Sequence, residues 1–145
     1  MILEAVATLT SGIFFGAALY INLVEQPARV SCGVPLAVTE WRPSYKRGTL
    51  MQAPLALIGS VAALRAWCLQ GNAAWLVGGS LFFLVVPFTL IVILPTNRQL
   101  ESQELDIRSD KADCLLRRWG RLHAIRTLLS GIAFLVFLSI LVAKR

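Results

Sequence analysis

The chain has little charge and almost no imidazole. Only 15% of its 145 residues are Asp, Glu, Lys or Arg, against about a quarter in a soluble domain, and 57% are hydrophobic. That balance excludes an ordinary water-soluble globule. One histidine and three scattered cysteines, Cys32, Cys68 and Cys114, cannot make the clustered ligand sets of zinc or copper, nor a two-histidine haem site within one chain. The absence of any C-x-x-C pair removes a thiol–disulfide relay. No metal and no cofactor is therefore expected. A glycine-rich phosphate loop, a metalloprotease helix and a serine elbow are missing as well. The first apolar run lacks a basic leader, carrying Glu4 instead, and no small-residue cleavage site follows it. It is expected to remain as a helix.

What the chain does have is four apolar stretches, at residues 2–24, 50–69, 73–94 and 122–142. Each is close to the ~20 residues that carry a helix across ~30 Å of hydrocarbon. The third holds no charge; the second holds Arg65, whose long side chain can reach the headgroups. The sequence thus predicts an all-α fold, a four-helix transmembrane bundle forming one domain over residues 1–145. Gly12 and Gly16 in the first span have the small-x-x-x-small spacing of close helix packing. Pro27 is expected to end the first helix, leaving residues 28–48 as a loop with Trp41 and Tyr45 as interfacial anchors. Pro87 should bend the third span. After it, Thr96 and Gln99 have capping-box spacing. Leu105, Ala112, Leu115 and Trp119 then share one helical face, and Glu104–Arg108 and Asp113–Arg117 are i, i+4 pairs. A helical cytoplasmic extension between spans three and four, running unbroken into span four, is the expectation.

Cations set the orientation. Arg29, Arg42, Lys46 and Arg47 lie between spans one and two, and Arg98, Arg108, Lys111, Arg117, Arg118 and Arg121 between three and four. Only Arg65, Lys144 and Arg145 fall on the other side. The positive-inside rule places both long loops in the cytoplasm and both termini opposite. The net charge of +6 follows from this topology, so the expected partner is the lipid bilayer and no nucleic acid. A membrane protein partner or a second copy of the chain is also compatible.

Trp119, His123 and Arg126 fall at i, i+4 and i+7, along one stripe at the start of span four. An ionisable residue there is costly and marks a functional site by default. The topology brings Glu25, Gln52 and Asn97 to the same end of the bundle. Each has a simpler reading too: Asn97 or Thr96 as a helix cap, Arg126 snorkelling to phosphates, Glu25 paired with Arg29, and His123 as an interfacial residue without duty.

The chain resembles the anthrone oxygenase-like family of small four-span membrane proteins, many of them without assigned function. The resemblance rests on the first span ending in Asn22, Glu25 and Pro27, on Pro87 with Phe88 and Thr89, on Pro95, Thr96, Asn97 and Leu100, and on Trp119, Leu122, His123 and Arg126. It implies a helical membrane bundle and, for members in aromatic polyketide pathways, oxidation of an anthrone to an anthraquinone by O2 without an obvious metal or flavin. On that implication His123, or alternatively Glu25, is the general base; Arg126 and Asn97 stabilise the oxyanion; Trp119 stacks on the rings; Gln52 completes the pocket. The other reading is a non-enzymatic membrane subunit or a binder of a lipophilic small molecule such as a lipid or quinone. Transport ranks behind both, because the spans hold few polar residues to line a path.

Overall fold

The structure, a computed structural model, describes residues 1–143; Lys144 and Arg145, which enter the charge balance above, lie outside the described residues. All regular structure among these residues is helical: α1 (Ile2–Tyr20), α2 (Gln26–Ser31), α3 (Val34–Gln70), α4 (Ala73–Phe88), α5 (Leu94–Glu101) and α6 (Asp110–Ala143). Wide π-helical turns at Ile21–Glu25 and Thr89–Ile93 join α1 to α2 and α4 to α5. The result is four continuous rods, Ile2–Ser31, Val34–Gln70, Ala73–Glu101 and Asp110–Ala143, each long and apolar enough to cross a bilayer. The protein is an integral membrane four-helix bundle. Helices α3 and α6 each pack against both α1 and α4, which occupy opposite corners.

Both π turns stand just before a proline, and the cause is local. A proline ring pushes against the carbonyl four residues back. For Pro27 and Pro95 those carbonyls belong to Leu23 and Ile91, each inside its π turn. The preceding residues, Gln26 and Leu94, donate five residues back, to Ile21 and Thr89. The turn widens and the rod continues, so Pro27 redirects the first helix where the sequence predicts an end.

The expected loop at 28–48 is helical almost throughout. Gly33, at φ 90°, makes the break between α2 and α3, and Pro35 suits the first turn of α3. At ~1.5 Å per residue the 37 residues of α3 extend well beyond ~30 Å of hydrocarbon. What holds this extension is a second core. Ala37, Val38 and Trp41 of α3 pack with Ile93 and Leu100 and with Leu116 and Trp119 of α6. Trp41 is fully buried, stacked on Tyr45 at 4.9 Å and edge-on to Trp119 at 5.7 Å. It is a core residue here and no membrane anchor. The first core, built from Phe14, Trp75, Phe82 and Phe137 among others, lies deeper along the same rods. Leu9, Leu57, Ile58, Leu128 and Leu135 are exposed on the outside, where a bilayer would cover them.

At the connection between the last two rods the sequence pattern overreaches. Residues 102–109 form turns, and α6 begins at Asp110 behind Ser109, whose Oγ accepts from Ala112 N at 3.3 Å. Leu105 still packs on the second core, from the turn. Asp113–Arg117 forms as expected at 2.8 Å, while Glu104 and Arg108 fall in the non-helical stretch. Thr96 and Asn97 cap nothing, because α5 continues the rod above them; both are fully buried.

Candidate functional site

Between the two cores lies a layer of polar side chains, with His123 at its centre. His123 is 1% exposed. Its Nδ1 lies 2.8 Å from Asn22 Oδ1, in the π turn that follows α1. The amide of Asn22 is fixed from its other end, where Nδ2 donates to the Gly120 carbonyl at 3.1 Å. A carbonyl can only accept, so Oδ1 must face His123 and Thr127, whose hydroxyl donates to it at 2.6 Å. It follows that Nδ1 of His123 carries a proton. In the neutral ring the lone pair is then on Nε2, and no hydrogen bond among the described residues occupies that atom. Sequence reasoning gives Asn22 no role beyond its place in the first-span motif. An amide within the last turns of an apolar span was the available signal.

His123 lines a small cavity of about 20 Å³ together with Gln52, Trp119 and Arg126. Trp119 stands 4.8 Å from the imidazole, tilted by 31°. Four of the residues predicted to form a site are therefore in one place. Arg126 donates through Nη2 to Gln52 Oε1 at 2.8 Å, and its guanidinium lies 5.4 Å over the Phe14 ring. No carboxylate among the described residues pairs with it, and its Nε is buried without an acceptor. Gln52 Nε2 is in the same condition. Two buried donors without partners at one cavity are uncommon in a folded chain, and each calls for an acceptor.

A second cavity, of about 130 Å³, shares Tyr45, Thr49, Gln52 and Arg126 with the first. Apart from Thr89 its other walls are apolar, Phe14, Ala56, Val85 and Val86 among them, with Leu90, 59% exposed, at the rim between α3 and α4. An apolar cavity of ~150 Å³ is known to take up benzene, so this chamber has room for an aromatic ring.

Glu25 and Asn97 are placed elsewhere. Glu25 accepts from Arg29 and, at 2.6 Å, from the Ser44 hydroxyl; it lines a groove between the first rod and α3. The Arg29 side chain, almost wholly buried, also reaches Glu40 and, at 3.0 Å, Gln26 Oε1. It lies 5.9 Å from the Trp119 ring. This ion network fastens the end of the first rod to the start of the second, and so holds the π turn that carries Asn22. Asn97 is fully buried with both amide atoms unpartnered and is not among the residues lining either cavity at His123.

No group of three or more metal-ligating side chains occurs among the described residues. In comparisons with known proteins, a family model described as "Anthrone oxygenase" matches residues 41–136, well over half of the chain. That stretch contains Gln52, Asn97, Trp119, His123 and Arg126, whereas Asn22 and Glu25 precede it. The chain is also similar to an anthrone oxygenase of Claviceps purpurea (strain 20.1), at 24% identity over 139 residues, covering 86% of this chain and 80% of the relative. No solved structure matches it.

Proposed function

Because the chain belongs to the anthrone oxygenase family, we propose that it oxidises an anthrone-like aromatic ketone with O2, using His123 as the base. The observation that carries this reading is the pairing of an unoccupied imidazole Nε2, fixed through Asn22, with the two unpartnered donors of Gln52 and Arg126. An anthrone has a carbonyl and, across the same ring, a doubly benzylic CH2. Removing one proton from that CH2 places negative charge on the carbonyl oxygen. Nε2 takes the proton, and Gln52 Nε2 with the Arg126 guanidinium receives the oxyanion, a preorganised pair worth far more in a water-poor site than in solution. One ring fits the 130 Å³ chamber, with the remainder toward the α3–α4 rim.

The electron-rich anion is oxidised by O2 at the former CH2 carbon. One oxygen atom stays as the second carbonyl of the quinone. The other leaves as water with the two hydrogens lost from carbon, one of them returned by His123. Nothing net remains on the protein. Arg29 and Glu25 act at a distance, by holding the segment on which Asn22 sits. From the distribution of Lys and Arg, the end of the bundle that bears the second core faces the cytoplasm.

The same two donors would equally hold a lipophilic anion that is bound and never turned over. Membranes carrying the chain distinguish the two readings when supplied with an anthrone. Oxygen uptake with matching growth of quinone absorbance, lost in His123→Gln, is the expected result. Uptake no faster than in control membranes, or equal in His123→Gln, refutes the assignment.

A further inference from the structure

The small cavity at His123 has a neighbouring space on each side of α3. Toward α4 it adjoins the apolar chamber. Toward α1 it shares Ile21, Ser44, Gly48 and Gln52 with a groove of about 520 Å³. That groove is mixed in character: Glu25, Glu40, Ser44 and Arg47 line it beside Tyr20, Ile21 and Met51, and Glu40 has 48% of its side chain exposed. The three spaces are neighbours along α3, joined by the residues they share. At its middle, about 20 Å³ admits roughly a single water, which needs 10–15 Å³.

The register of α3 explains why the two sides differ. Ser44, Gly48 and Gln52 recur every four residues along the face toward α1, while Tyr45, Thr49, Ala53 and Ala56 turn toward the chamber. Gly48 lines both the groove and the small cavity. A glycine within a helix costs about 1 kcal/mol relative to alanine, so its presence there has a price unless it serves packing. It does not: a Cβ built on Gly48 meets nothing within 4 Å, whereas one on Gly78 would lie 2.4 Å from the Phe137 ring. What the missing side chain leaves at position 48 is open space beside the groove and the small cavity.

We propose that His123 is served by two ports of different polarity. An aqueous port between α1 and α3, its width set by Gly48, carries water as far as the ring and small hydrophilic solutes as far as Gln52; an apolar port between α3 and α4 admits lipophilic ones to the chamber. Gly48 is thus a selectivity-determining position. The assignment does not depend on turnover, since it concerns what reaches the ring and not what the ring does.

The test uses the full chain in liposomes, with Cys32, Cys68 and Cys114 replaced by serine and Gln52→Cys as the reporter at the junction. A small charged methanethiosulfonate should label Cys at that position, and adding Gly48→Leu should slow the labelling at least tenfold. Labelling by an apolar N-alkylmaleimide, arriving through the chamber, should change less than twofold. No labelling by the charged reagent, or equal slowing of both, overturns the proposal. A second reading leaves residue 52 intact: exchange of the imidazole C2–H of the chain's single histidine with D2O, followed by mass spectrometry. It should fall severalfold in Gly48→Leu and stay near wild type in Gly16→Leu, where a Cβ also meets open space. Equal rates in Gly48→Leu and wild type overturn the aqueous port.

Discussion

Asn22→Ala separates the chemistry of the site from its stability. Asn22 makes three hydrogen bonds, to the Gly120 carbonyl at 3.1 Å, from His123 Nδ1 at 2.8 Å and from Thr127 Oγ1 at 2.6 Å. Interhelical hydrogen bonds in membranes average about 0.6 kcal/mol and reach about 1.7. Thr127 retains its own-helix carbonyl, of His123, at 3.3 Å, so the total loss of stability should be about 1–2 kcal/mol. The effect on turnover should be far larger. Without Oδ1, nothing holds the proton on Nδ1, and a ring with its proton on Nε2 cannot act as the base. General base catalysis contributes about 10²–10⁴-fold, and the expected fall in kcat lies in that range. Asn22→Asp keeps an acceptor facing Nδ1 and should stay within about tenfold of wild type, below the span assigned to the base itself. Oxygen uptake and quinone absorbance measure the rates, and thermal unfolding in detergent measures the fold. A folded Asn22→Ala that turns over at the wild-type rate refutes the argument, as does an equal loss in the alanine and aspartate variants.

Two further outcomes follow from the same geometry. Gln52→Leu and Arg126→Met each remove one donor from the proposed oxyanion site and should lower kcat about 10²–10³-fold; a rise in KM at unchanged kcat would show that these groups only bind the substrate. Gly78→Ala places a methyl 2.4 Å from Cε1 of the buried Phe137 and should destabilise the bundle by about 1–3 kcal/mol through overpacking. Thermal unfolding beside Gly16→Ala, where the space is open, isolates that term.

The apolar runs made the spans legible, because hydropathy reports the bilayer directly. They understated the rods. Residues 34–48 read as a loop since their charged and polar side chains dominate the local average, yet one face buries Ala37, Val38 and Trp41. That face finds its partners in residues distant in sequence, Ile93, Leu100, Leu116 and Trp119 among them. Pro27 read as a terminator because the cost of proline is counted for an α-helix, and a π turn at Ile21–Glu25 removes the clash. For the site, the stripe Trp119, His123 and Arg126 was visible in the spacing, and topology alone suggested Gln52. Asn22 was harder to find. Its role depends on a 2.8 Å contact across 101 residues of chain, which no periodicity within one helix encodes. The two unpartnered donors were invisible for the same reason: whether Gln52 Nε2 and Arg126 Nε have acceptors is decided by neighbours from other helices.

Whether His123 can serve as the base depends on which of its ring nitrogens is free. The chain contains a single histidine, so a sample labelled with 15N at the imidazole and reconstituted in lipid has only one ring to assign. Its 15N shifts and one-bond N–H couplings should place the proton on Nδ1 and leave Nε2 with the lone pair, and Asn22→Ala should abolish that preference. A wild-type ring that carries its proton on Nε2 rules out His123 Nε2 as the base.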